Sequence, residues 1–358
     1  QNVLNLVDTA MVGTLGAPQV MATGMGGFVN FWAFSLILGL SSGVQAMAAR
    51  RMGEGKTGAA ATSLNGGILI ATVIGLPFGF LMAYLTPYFY VFLASDPEVI
   101  AAGVPYLQVR LMASFAVGVN FSFRGFWNGI GRSQVYMGTL VAMHALNILF
   151  NYIFIFGNFG APALGVYGAG LASALSVVCG TLIYIAMGLS GVRDMGFLSI
   201  WPTRESLNTL IRLSVPSSIQ QFFFSGGLTV MFWIIGQTGT YEGAAANIII
   251  NIMLVAYLPG IGLGLGAATL VGQALGRGDP EDARQWGWDV MILGILLLGL
   301  LGIPMIFFPD AIVGAFIRSA DAASVVEIAR WPLILTGAFM IVEAVGLVLM
   351  NALLGAGA

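Results

Sequence analysis

Apolar runs recur along almost the whole chain, and they limit its possible folds more than any other feature. A helix needs about 20 mostly apolar residues to cross the hydrocarbon layer of a bilayer, which is the length of these runs. Charged residues make up 8% of the chain, whereas soluble domains contain about 25%, so this sequence cannot build a water-exposed surface. The alternating pattern of membrane β-strands is absent. The sequence therefore predicts an all-α, polytopic membrane helix bundle.

We predict ten membrane spans, the first of them partial. The partial first span ends near residue 13. The other nine cover residues 20–48, 60–84, 101–123, 134–156, 167–190, 207–236, 244–273, 287–308 and 331–353. The chain opens within an apolar segment and closes on Leu353–Ala358 without a polar tail. We therefore expect it to be part of a longer protein, truncated at both ends.

Short motifs recur at a fixed distance along the chain. Gly53-Glu-Gly55 matches Gly276-Arg-Gly278, and Met11-Val-Gly-Thr-Leu-Gly16 resembles Ile234-Ile-Gly-Gln-Thr-Gly239, both at an offset of 223 residues. An even number of spans between equivalent helices makes such repeats parallel. The pattern predicts two pseudo-symmetric six-helix lobes in a parent of twelve spans, of which about ten are present. The expected lobes are residues 1–192 and 207–358, with a cytoplasmic linker at 193–206.

Most of the thirteen Lys and Arg residues lie in or beside loops that follow even-numbered spans. Cytoplasmic loops of membrane proteins carry such an excess of basic residues. The pattern places these loops and the N-terminus in the cytoplasm of a multi-pass protein of the plasma membrane, the inner membrane in bacteria. A single cysteine and a single histidine exclude a cysteine or histidine metal cluster, and no cofactor is expected.

Asp8 is an acid near the start of a chain that is almost uncharged. A carboxylate at the centre of a bilayer costs about 2.5–3.5 kcal/mol on insertion scales, so such groups are usually functional. The alternative is a structural acid whose hydrogen bonds are satisfied by Asn5 or by a neighbouring helix. Asn147 and Asn151 are one helical turn apart and would face the same direction. They either surround Asp8 or simply join helices, as asparagines do in membranes. Glu343 is a second acid inside a predicted span.

Several motifs together resemble the multidrug and toxic-compound extrusion (MATE) family of secondary transporters. They are Val7-Asp-Thr-Ala-Met-Val-Gly-Thr-Leu-Gly16, Gly43-Val-Gln-Ala-Met-Ala-Ala-Arg-Arg-Met-Gly-Glu-Gly55, Arg124-Gly-Phe-Trp-Asn-Gly-Ile-Gly131, Leu146-Asn-Ile-Leu-Phe-Asn-Tyr-Ile-Phe-Ile-Phe-Gly157, Gly165-Val-Tyr-Gly-Ala-Gly-Leu-Ala172, Leu213-Ser-Val-Pro216 and Val271-Gly-Gln-Ala-Leu-Gly-Arg-Gly278. The resemblance covers the chain essentially end to end. It implies a bundle of two six-helix lobes that exports organic cations in exchange for protons or sodium ions by alternating access.

The resemblance also implies roles for individual residues. Asp8 matches the first-helix acid that is central to cation coupling in the family, and Asn147 matches an asparagine of the fifth span. Many relatives carry a second acid four residues later, where this chain has Asn151. Glu343 aligns with an acid that some members use for sodium, so Asp8 and Glu343 are the possible sodium ligands. The third acid of those members has no equivalent near Phe222.

We therefore expect a cation-coupled exporter of small organic cations that is monomeric, contacts membrane lipid and binds no nucleic acid. A lipid or glycan flippase of the same superfamily is the alternative; it would need a basic cleft, and Arg110 alone offers central positive charge. A membrane-embedded enzyme that binds magnesium diphosphate would need clustered aspartates. Asp279, Glu281 and Asp282 form a dense acidic group, but in a short turn beside arginines, so we expect no enzyme.

Overall fold

The computed structural model describes residues 11–236, 240–316 and 322–357, and Asp8 lies outside the described residues. Helices dominate the described part, with short 3₁₀ turns at Thr57–Ala59 and Asn158–Gly160. The helices are α1 (Ala17–Gly53), α2 (Thr62–Leu93), α3 (Pro97–Met112), α4 (Ser114–Gly129), α5 (Ser133–Phe156), α6 (Gly165–Gly191), α7 (Arg204–Gly236), α8 (Thr240–Gly276), α9 (Pro280–Phe307), α10 (Pro309–Phe316) and α11 (Ala322–Ala356).

Seven helices of the described residues are long and apolar enough to cross a membrane, and an eighth span results if α3 and α4 count as one. Every predicted span from the second onward overlaps one of these helices or α7. α7 has 33 residues but is not among the seven. The predicted fold class, an all-helical polytopic membrane bundle, is confirmed.

The fourth predicted span, residues 101–123, is not one straight helix. α3 and α4 meet at Ala113 with a bend of 47°. The N–H group of Ala113 donates to the carbonyl of Arg110 at 3.2 Å, a tighter turn than the α-helix makes, and the Ser114 hydroxyl donates to the carbonyl of Leu111. A serine that bonds to the preceding turn competes with the helix ladder and bends it. Because no proline marks the site, periodicity alone did not show this bend.

The chain forms two compact units, Gln1–Ala48 with Thr57–Phe222, and Ala49–Lys56 with Phe223–Ala358. Each unit has an apolar core of its own. The first core includes the buried residues Tyr90, Leu107, Leu111 and Ile155. The second includes Leu298, Leu333, Met340 and Ala344. The predicted lobes and linker, with boundaries at residues 192 and 207, stay a prediction.

Equivalent residues of the sequence repeat contact one another reciprocally within the second unit. A methyl group placed on Gly53 would lie 2.0 Å from the carbonyl oxygen of Gln273, and one on Gly276 would lie 2.1 Å from the carbonyl oxygen of Arg50. Gln273 is the repeat equivalent of Arg50, and Gly276 is the equivalent of Gly53. The 223-residue shift therefore exchanges the two contacts, as expected for helix ends that are related by a pseudo-twofold axis.

Asn65 anchors the turn that precedes α7. Its amide nitrogen donates to the carbonyls of Gly196 and Ile200 at 2.8 Å, and its oxygen accepts the N–H of Leu198 at 3.0 Å. Leu198 has a φ of 54°, a left-handed conformation that a leucine rarely adopts. Phe197 buries its ring in the same region, 5.6 Å from that of Phe123. The first part of the predicted linker is therefore held against the first unit.

We expect Asn65→Ala to lower the free energy of unfolding by about 1–3 kcal/mol, because it leaves backbone groups without partners and Leu198 without its restraint. The measurement is the melting temperature of the purified protein in detergent. Asn158→Ala is the matched control, since the half-buried side chain of Asn158 donates to the carbonyl of Tyr152 on the adjoining helix end. Equal shifts in the two variants would contradict the anchoring role of Asn65.

Candidate functional site

A buried polar cluster joins α5 to α6 in the first unit. Asn147 and Asn151 are 1% and 0% exposed. The amide nitrogen of Asn151 donates to the side-chain oxygen of Asn147, and the amide nitrogen of Asn147 donates to the Ser173 hydroxyl, both at 3.3 Å. The helical spacing places both asparagines on one face, as predicted. Ser173 completes a chain of three polar side chains inside a bundle of apolar helices.

Close approach of α5 and α6 makes this cluster possible. A methyl group placed on Gly168 would lie 2.4 Å from the carbonyl oxygen of Phe154, and one on Gly180 would lie 2.3 Å from the sulfur of Met143. Small residues at such crossings let membrane helices approach and let polar side chains bond across them. The two crossings lie on either side of Ser173 along α6, so they fix its distance from Asn147.

Residues close in sequence to the predicted acid belong to the same core as this cluster. Val12, four residues after Asp8, packs in one apolar cluster with Ile155 and Ala169. Ile155 is one turn beyond Asn151, and Ala169 is one turn before Ser173. The segment that follows Asp8 is therefore anchored beside the α5–α6 pair.

The cluster offers amide and hydroxyl groups to a ligand. Amide oxygens and hydroxyls are hard ligands that suit a cation such as sodium, and amide nitrogens are donors that can orient a carboxylate. In the described ranges, no group of three or more His, Cys, Asp or Glu side chains could hold a metal ion. Charge for a coupling cation would therefore have to come from a carboxylate such as Asp8.

Glu343 lies in the second unit, on α11, and its side chain is exposed. The side chain of Tyr257, on α8, lies beside its carboxyl group. This places an acid with a tyrosine partner in the middle of a membrane-spanning helix. Asn147 and Asn151 belong to the first unit and Glu343 to the second, and within the first unit the structure brings Asn147 and Asn151 together.

Arg110 is half-buried near the end of α3, just before the bend. Its guanidinium donates to the hydroxyl of Tyr106 and lies 5.3 Å from the centre of that ring. Tyrosine rings attract cations through their faces and bond to them through their hydroxyls. The central arginine noted in the sequence is thus partnered by an aromatic residue on its own helix.

Three functional candidates were missed in the sequence. No sequence pattern marks Ser173, which is a candidate only because its hydroxyl contacts Asn147. Tyr257 is likewise a candidate only because it lies beside Glu343. The pair Asn247 and Asn251 repeats the four-residue spacing of Asn147 and Asn151, so that signal was present in the sequence.

We expect Asn147→Leu to lower transport by about tenfold, because a side chain of similar shape that cannot hydrogen-bond breaks the bonds of Asn147 to Asn151 and Ser173. Ser173→Ala removes one bond and should have a smaller effect. Initial rates in vesicles of equal protein content provide the measurement. Asn120→Leu is the control, because Asn120 bridges α4 and α6 through Val177 and Thr181 instead. A larger loss of transport in the control would contradict the assignment.

Known protein families and curated proteins include clear relatives of this chain. The chain matches the MatE family over residues 1–153 and 216–358. It is 28% identical over 349 residues to the probable multidrug resistance protein NorM of Rhizobium meliloti (strain 1021), covering 96% of this chain and 74% of that protein.

Solved structures show the same fold. A MOP superfamily transporter from Pyrococcus furiosus superimposes with a TM-score of 0.87 at 22% identity, over 100% of this chain and 79% of that one. A binding pocket of reverse polarity is described for that transporter. A multidrug resistance MATE family transporter in an outward-facing conformation gives 0.82 at 22% identity, over 99% and 80%.

The long apolar helices are those of a multi-pass membrane protein, and the family match and the multidrug resistance relatives show that it is a transporter rather than an enzyme. The chain belongs to the MatE family, as the resemblance of its sequence motifs predicted.

Proposed function

We propose that this protein exports organic cations in exchange for protons or sodium ions. The observation that carries the proposal is the buried chain of Asn147, Asn151 and Ser173 inside an apolar helix pair. Buried polar groups in membrane helices mark ion and substrate paths. Relatives named for multidrug resistance support the substrate class.

Asp8 is the proposed coupling residue. A proton, a sodium ion and an organic cation would compete for its carboxylate, and this competition would couple the inward movement of the ion to the outward movement of the solute. Movement of one charge through a potential of 100 mV supplies about 2.3 kcal/mol, and an ion concentration gradient adds to this. Asn147 would orient the carboxylate, and Glu343 is a second candidate for ion binding. No tightly bound cofactor takes part in the proposal, and the working unit is a monomer.

The proposed topology has a cytoplasmic N-terminus in the bacterial inner membrane. Arg50, Arg51 and Lys56 near the end of α1 and Arg277 after the end of α8 support it, because basic residues concentrate on the cytoplasmic side. α8 then begins at the outer surface and ends in the cytoplasm.

A lipid or glycan flippase is the second candidate. Arg110 favours it, since a cation in the middle of a bent span could bind the phosphate of a lipid-linked substrate. The neighbour whose pocket is described as having reverse polarity shows that proteins of this fold differ in pocket charge.

One vesicle experiment separates these functions. Purified protein is reconstituted, a proton gradient or a sodium gradient is imposed separately, and accumulation of an organic cation is followed. Accumulation driven by one gradient and absent with the other identifies the ion. No accumulation with either gradient, together with translocation of a fluorescent phospholipid, would reject the proposal in favour of a flippase.

A further inference from the structure

Two asparagines are exposed on a membrane-spanning face of the second unit. Asn247 and Asn251 lie one turn apart on α8, within a helix long and apolar enough to cross the bilayer. Val255 and Leu258 continue the same face and are 66% and 56% exposed. In the proposed topology, the pair lies in the outer half of the membrane.

The other side of α8 accounts for the packing of the helix. Ala245, Ile252 and Ala256 are buried in the apolar core that α8 forms with α9 and α11. The asparagines are therefore not required to join α8 to those helices. Their face points away from the core of the second unit.

The hydrogen bonds of the pair leave specific groups available. The amide nitrogen of Asn251 donates to the backbone carbonyl and to the side-chain oxygen of Asn247, both at 2.8 Å. An amide has two donor hydrogens and one acceptor oxygen. Over the ranges that the structure describes, no bond occupies the side-chain oxygen of Asn251 or the amide nitrogen of Asn247. The pair thus presents one acceptor and one donor group side by side.

Exposed amides are strongly unfavourable against lipid tails, which offer no hydrogen bonds. Polar side chains within membrane spans face protein or a water-filled path instead. Since the face is not packed in the second unit's core, water or a polar solute is the partner that its chemistry fits.

We propose that Asn247 and Asn251 form a hydrogen-bonding subsite for the transported solute. The side-chain oxygen of Asn251 accepts an N–H group of an organic cation, and the amide nitrogen of Asn247 donates to an acceptor on the same molecule. The inference rests on the proposed function, because it assigns the pair to the solute of that transporter. It adds a selection for cations that carry N–H groups over cations that carry none.

Water access is tested first, without any transport. Cys179 is the single cysteine of the chain, so Cys179→Ala gives a cysteine-free background. Asn247→Cys and Asn251→Cys are added singly, and reaction with a charged, membrane-impermeant methanethiosulfonate is measured in lipid nanodiscs, where both membrane faces are open. Leu296→Cys is the control, an apolar position 65% exposed in the middle of α9. We expect both asparagine positions to react at least tenfold faster than the control.

Solute selection is tested by equilibrium dialysis of purified protein with two cations. Ethidium carries N–H groups, and tetraphenylphosphonium carries none. Asn251→Leu should weaken ethidium binding about fivefold, the effect of one net hydrogen bond, and leave tetraphenylphosphonium binding unchanged. Thr336→Val is the matched control, because the hydroxyl of this half-buried residue donates to the carbonyl of Pro332 on its own helix.

Several results would overturn the subsite. In the cysteine experiment, the overturning result is that cysteines at both asparagine positions react no faster than the control. In the dialysis, it is that the natural sequence does not bind ethidium, that Asn251→Leu leaves ethidium binding unaltered, or that this variant weakens the binding of both cations equally. Failure of the exporter proposal is distinguishable, because vesicles would then show no gradient-driven accumulation while the dialysis difference between the cations persisted.

Discussion

Asp8→Asn is expected to reduce gradient-driven export to the level of vesicles without protein. Asparagine has nearly the same shape as aspartate but neither a charge nor a proton to exchange, so it would remove the competition between ion and solute. The measurement is the initial rate of organic cation accumulation under the gradient that drives the natural sequence. Protein yield and melting temperature should stay near those of the natural sequence.

Asp310→Asn provides the control for loss of an acid. Asp310 is exposed and pairs with Arg330 at 3.5 Å, an arrangement worth about 0–1 kcal/mol at a surface. This variant should transport normally. Undiminished export by Asp8→Asn would contradict the proposed coupling role of Asp8. If export were also lost in Glu343→Gln, the coupling role would belong to Glu343 in the second unit.

Gly53→Val and Gly276→Val are expected to destabilise the protein by similar amounts. Each adds a side chain where a methyl group would already lie about 2 Å from a backbone oxygen, so the ends of α1 and α8 must separate. Overpacking of this kind typically costs about 1–3 kcal/mol. Because the repeat exchanges the two contacts, neither variant should be much milder than the other. Melting temperatures in detergent give the comparison.

Gly262→Val is the matched control on α8, because a methyl group at that position meets nothing within 4 Å. Its melting temperature should stay the same or rise slightly, since valine favours a helix more than glycine does. A large shift at only one of Gly53 and Gly276 would show that the reciprocal contacts do not carry equal strain, and would weaken the structural meaning of the repeat.

The candidate site shows how far sequence reasoning reached. The four-residue spacing of Asn147 and Asn151 predicted a shared helix face, and their bond confirms it. Ser173 could not be predicted from spacing, because it belongs to another helix and reaches Asn147 only where α5 and α6 cross. Roles for Asp8 and Glu343 in ion coupling stay predictions.

The sequence by itself determined that this protein is a helical membrane bundle of the MatE family. A run of about twenty apolar residues places its side chains in the hydrocarbon layer and must satisfy its backbone N–H and C=O groups within its own helix. Both requirements depend on the local sequence alone. Tertiary structure alone decided the bend at Ala113, the capture of the 196–200 turn by Asn65, the partner of Asn147 and the outward direction of Asn247 and Asn251. Each of these depends on which distant segments approach within a few ångströms, and residue spacing along one helix does not contain that information.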